Sequence, residues 1–102
     1  MSVLLQVDFP YSGPWGAQMS EAMKGLAESI AHEPGLLWKI WTEDQATAEA
    51  GGIYLFTDRA SAEAYLHMHR ARLQGFGVMH VNAKLFDVNA TLSAIDRAPL
   101  GA

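Results

Sequence analysis

The chain has 102 residues, half of them apolar and 18% charged, and its seven Lys and Arg against eleven Asp and Glu leave a formal net charge of −4. That length accommodates one domain spanning 1–102 and no second, and the apolar content is ample for a packed core. Scattered basic residues exclude a phosphate-backbone footprint and nucleic acid with it, no apolar run reaches the ~20 residues of a membrane span, and the lack of cysteine removes disulfide and thiol chemistry.

The opening Met1 to Gln6 has no basic region and meets Asp8 early, unlike a secretory signal, so a cytoplasmic location is expected. Val3 to Phe9 is rich in branched and aromatic residues and predicts a strand, stopped by Pro10 and the turn formers Ser12-Gly13-Pro14. Pro14 suits the first turn of a helix whose stripe is Trp15, Met19, Ala22, Met23, Leu26 and Ile30. Pro34-Gly35 ends that helix. Leu36 to Thr42 and Gly51 to Thr57 predict a second and third strand, antiparallel and joined by a polar connection longer than a tight hairpin.

Asp58 is the expected N-cap of a second helix with the stripe Ala62, Tyr65, Leu66, His69, Leu73 and Phe76, closed at Gly75 or Gly77. Val78 to Val88 predicts the fourth and longest strand. From about residue 89 the chain reads as a tail, whose Leu92, Ile95 and Leu100 suit docking on a neighbour.

The order β-α-β-β-α-β predicts an α+β fold, the ferredoxin-like βαββαβ sandwich, with both helices on one face of a four-stranded antiparallel sheet. An open face should alternate apolar with polar. Here Trp38, Ile40, Ile53 and Leu55 occupy one parity, yet Trp41, Tyr54, Phe56 and Phe86 occupy the other. Two covered faces, together with low charge on a small chain, predict a homodimer packed sheet to sheet.

Two strings carry a resemblance: Glu33-Pro34-Gly35-Leu36-Leu37-Trp38-Lys39-Ile40-Trp41-Thr42-Glu43, and Glu49-Ala50-Gly51-Gly52-Ile53-Tyr54-Leu55-Phe56-Thr57-Asp58. The chain resembles the YdhR-type mono-oxygenase family end to end, including Ala83 to Asn89 in the last strand. That resemblance implies a dimeric α+β barrel, and a mono-oxygenase that works without flavin or metal on a small substrate and O2. In such chemistry a deprotonated, electron-rich substrate gives its own electrons to oxygen, while the protein supplies a base, a dry pocket and orientation.

Among candidate residues, His67 and His69 stand about 200° apart on a helix, which excludes a joint metal site. No metal ligand set and no cofactor motif is found: Gly75-Phe76-Gly77 follows a helix and precedes a strand, the wrong order for a dinucleotide loop. His69 centres the second stripe, as either a core residue or a general base. Trp38, Trp41, Tyr54, Phe56 and Tyr65 form either core or the walls of a substrate pocket, with Trp15 nearby. Gln6 and Asp8 interrupt an apolar strand and are the candidate polar groups of that pocket, unless Asp8 simply reaches water. His80, sharing a parity with Asn82 and Lys84, suits either a polar part of a cavity or the sheet edge, and the edge is preferred.

The function expected is a cofactor-independent mono-oxygenase acting on a small aromatic or quinol-like compound. The alternatives are a non-catalytic ligand-binding dimer, and a haem-binding or haem-degrading barrel with His69 as axial ligand.

Overall fold

Val3, Leu5 and Val7 alternate with Leu4, Gln6 and Asp8 along β1 (Val3–Pro10), and that alternation organises the sheet. The computed structural model describes residues 1–100. After β1 come α1 (Gly16–Ala22), α2 (Lys24–Ile30), β2 (Leu36–Asp44), β3 (Glu49–Phe56), α3 (Arg59–Gly75), β4 (Asn82–Asp87) and α4 (Ala90–Ile95). The strands form one antiparallel sheet in the order β2-β3-β1-β4, the ferredoxin-like arrangement. Among the described residues no helix is long and apolar enough to cross a membrane.

Register assigns the faces. Val3 pairs with Phe56 and Leu5 with Tyr54, and these side chains meet Ile30 of α2 and Ala62 and Tyr65 of α3 in the main core. Each such fully buried side chain stabilises the fold by about 1.5–3 kcal/mol. The alternate residues, Leu4 with Leu55 and Gln6 with Ile53, lie on the face away from the helices, as do Trp38 and Ile40 of β2.

α3 is defined at both ends. The Asp58 carboxylate accepts from the Ser61 N–H at 2.8 Å, the N-cap the sequence predicts. At the other end Gly77, at φ +89°, lets the Gly77 and Val78 N–H groups donate to the Gln74 and Leu73 carbonyls, both at 3.0 Å. This is a Schellman closure.

Several expectations need correction. The first helix is two short ones bent at Met23, and Pro14 precedes the N-cap, Trp15, rather than entering the first turn. Neither piece has a side-chain cap or an acidic first turn, and glycines at 16 and 25 weaken both. Strands β2 and β3 run into the polar stretch, leaving only residues 45–48 as a connection, closed by the Asp44 carboxylate accepting from the Ala46 N–H. The fourth strand is the shortest: it starts at Asn82, opposite Asp8, where its pairing with β1 ends two residues short of Pro10. Pro10 has no N–H to give. The tail contains α4, capped by Asn89 accepting from the Leu92 N–H at 3.1 Å.

Candidate functional site

A cavity of about 720 Å³ lies between α1–α2 and the sheet. Its roof is Met19, Met23 and Leu26, brought there by the bend between α1 and α2. Phe9, Trp41 and Tyr54 supply the sheet side, and Leu73 closes the α3 end. Tyr11 lies at the rim, where its hydroxyl donates to the Pro14 carbonyl at 2.8 Å and its ring packs edge-on against Trp15 at 5.0 Å. The lining is mostly apolar and leaves few polar atoms to orient a ligand.

One cation reaches this wall from the sheet. Lys39 pairs with Tyr54 across β2 and β3, so its side chain points to the helix side, opposite Trp38 and Ile40. The Lys39 Nζ lies 3.5 Å from the centroid of the Trp41 ring and 4.7 Å from that of Tyr54. Gly52 makes the room: a Cβ there would stand 2.6 Å from Lys39 Cε. Burial lowers the ammonium pKa to about 7, aided by the positive charge of Arg72. Among the described residues the ion pair found is Arg59–Asp87, on the surface, so Lys39 has no carboxylate partner.

Behind Tyr54 runs a buried polar chain. The Tyr65 hydroxyl donates to that of Tyr54 at 3.1 Å, and the Tyr65 ring stacks on His69 at 5.1 Å. His69 Nδ1 accepts from Arg72 Nη2 at 2.9 Å. Burial, then Arg72 and Lys39, lowers the His69 pKa to about 4, so the imidazole is neutral at neutral pH. Burial and the neighbouring phenol raise the Tyr54 pKa, and burial raises that of Tyr65.

The candidate residues therefore divide. Trp41 and Tyr54 line the cavity. Phe56 and Tyr65 are core residues beneath it, and His69, 3% exposed, lies outside the cavity wall. Gln6, Asp8 and Trp38 are on the opposite face of the sheet, and Asp8 finds its partner there in the Asn82 amide at 3.0 Å. His67 is exposed, on the other side of α3 from His69. His80 precedes β4 instead of lying on its edge, and borders the cavity, the other of its two expected placements. Lys39 is the site residue that the sequence reading passed over. Its signal was the parity it shares with Trp41.

Comparison with known proteins agrees with this architecture. A crystal structure of SnoaB, a cofactor-independent oxygenase from Streptomyces nogalater, solved as a point mutant, superposes with a TM-score of 0.61 at 17% identity, covering 86% of this chain and 93% of that one. What the two share is the fold, the ferredoxin-like α+β arrangement. No curated protein sequence matches significantly. Residues 4–99 match the family described as "Putative mono-oxygenase ydhR", and the chain belongs to that family.

Proposed function

We propose that this protein is a cofactor-independent mono-oxygenase of a small aromatic phenol or quinol-like compound, acting as a homodimer. The observation that carries the reading is the apolar, aromatic-walled cavity with a single sheet-borne cation, in a chain of a mono-oxygenase family. A phenolate held there transfers one electron to O2. The radical and superoxide then combine at the ring carbon para to the oxygen. Loss of that carbon's proton and cleavage of the O–O bond leave a quinone and water. For 1-naphthol the balance is one naphthol and one O2 to one 1,4-naphthoquinone and one water. The chain's own contributions are orientation, exclusion of water and help with the first proton.

His69 has two roles open to it, proton acceptor or positioning residue. Its Nδ1 lone pair is taken by Arg72 and its ring lies outside the cavity wall, which supports a positioning role through Arg72. His69→Gln, which keeps an acceptor for Arg72, then retains turnover, while His69→Ala lowers it. A base at this position would make both variants inactive, with losses of ~10²–10⁴-fold.

Oxygen uptake with 1-naphthol and a set of related phenols tests the function. The expected result is consumption of one O2 per quinone, above the rate without protein, by a preparation with no visible absorption band. Ligand binding without uptake would make the protein a binding module. A stoichiometric haem band would favour the haem barrel, with His69 as its axial ligand.

A further inference from the structure

We propose that Lys39 is the base that takes the substrate's hydroxyl proton and then holds the resulting oxyanion, so that the substrate is a flat apolar ring bearing an acidic hydroxyl at its inner end. This rests on the oxygenase reading for its reaction, but its first test needs no oxygen.

The geometry is specific to a base. Lys39 Nζ stands on the aromatic floor formed by Trp41 and Tyr54, inside a wall that is otherwise largely apolar. No carboxylate neutralises it among the described residues, so a bound anion would be its partner. The groups facing it are few. Arg72 and His69 lie on the α3 side, the Tyr54 hydroxyl is on β3, and the roof residues Met19, Met23 and Leu26 carry no charge. His80 borders the cavity from the segment before β4. The space is made by the absence of a side chain at Gly52, next to the strand that presents the amine.

The step is a proton transfer. The substrate O–H bond breaks, its electron pair stays on oxygen, and the proton forms a third N–H bond on the neutral amine. The ammonium and the oxyanion are then an ion pair in a site of low polarity, where each favours the charged form of the other. A desolvated lysine with its pKa near 7 suits this task, since an efficient base is half-ionised near working pH.

The probe is 4-nitrophenol under nitrogen, whose phenolate band reports its ionisation directly. Bound to the wild type, its apparent pKa should fall by about 1–3 units, as beside an opposite charge. In Lys39→Met the apolar cavity should raise it above the value in water. Lys39→Arg should still lower it, yet lose ~10²-fold or more of the turnover of 1-naphthol, because a guanidinium pairs with the anion but cannot take the proton. Direct titration of Nζ in the unmodified protein by NMR, independent of any variant, should show a midpoint near 7 that rises when 4-nitrophenol binds. The proposal is overturned if 4-nitrophenol does not bind, if Lys39→Met binds it as phenolate, if Lys39→Arg turns over normally, or if Nζ ignores the ligand. Absence of oxygen uptake with every phenol, alongside the expected nitrophenol shifts, would remove the oxygenase reading and leave Lys39 as an anion-binding base.

Discussion

Lys39, half-buried, and His69, buried, are bases that leave separable marks on stability. The Lys39 pKa falls from 10.5 to about 7 on folding, so between those values the unfolded chain binds more protons and stability rises with pH. The destabilisation is full below about pH 7 and is relieved as pH climbs. It ends in a counter-effect: Tyr54 and Tyr65 have raised pKa values, so the unfolded chain ionises first above pH 10 and stability falls again. Melting temperature should therefore climb from pH 7 towards 10 in the wild type and lose that climb in Lys39→Met. His69 falls from 6.5 to about 4, so its burial costs nothing above pH 6.5 and its full amount below 4. The acid limb through that window should flatten in His69→Gln. At this scale the sequence was half legible. The stripe of α3 placed His69 among Tyr65 and Leu73 correctly, because helical spacing fixes a face. Lys39 was lost between two tryptophans, although the parity that separates Trp38 from Trp41 also sends Lys39 to the Trp41 side.

Elements were legible where local chemistry dominates and not where a partner strand decides. Asp58 and Gly77 announce the ends of α3 by themselves. The length of β4 does not depend on its own residues but on β1, whose pairing with it stops at Asp8. β2 hides a second example: a register shift between Leu36 and Trp38 makes Leu37 an extra residue. Leu36 therefore faces the helices with Phe56 while Trp38, of the same parity, faces away with Leu55. A bulge cancels a parity argument from one step to the next. The paired glycines of β3 make a sharp test of the register. A Cβ on Gly51 would lie 1.9 Å from the Val7 carbonyl oxygen, a backbone atom that cannot move without parting β1 from β3. A Cβ on Gly52 meets Lys39 Cε at 2.6 Å and the Tyr54 ring at 3.1 Å, both side chains, and the Ile40 carbonyl oxygen only at 3.3 Å. Gly51→Ala should abolish folding or lower the melting temperature steeply. Gly52→Ala should fold with a loss of about 1–3 kcal/mol, the range for overpacking, and return the Lys39 titration towards its ordinary value as the amine leaves the Trp41 ring.

The whole molecule presents one face that its own helices do not cover. On that side of the sheet Ile40 is 53% and Phe86 46% exposed, and in α4 Leu92 and Ile95 are exposed as well. The C-terminal segment shields part of it, since the Trp38 indole N–H donates to the Pro99 carbonyl beside the fully buried Leu55. What remains is a patch of exposed apolar side chains interrupted by Gln6, Asp8 and Lys84, which the proposed homodimer would cover across a twofold axis. A standard interface removes about 800 Å² from each partner, roughly an eighth of the 6443 Å² this protomer exposes. In the proposed homodimer Gln6, Asp8 and Trp38 would face the space between protomers, while Trp41, Tyr54 and Lys39 line the cavity within each one. Light scattering at micromolar concentration should give twice the chain mass of 11.1 kDa. Ile40→Glu, which places a charge on the β2 side of the patch without touching the core beneath the helices, should halve that mass. Its circular dichroism should stay that of the wild type. A dimer that persists in Ile40→Glu would mean that another surface joins the protomers, and a wild-type monomer would mean that the open face does not pair at all.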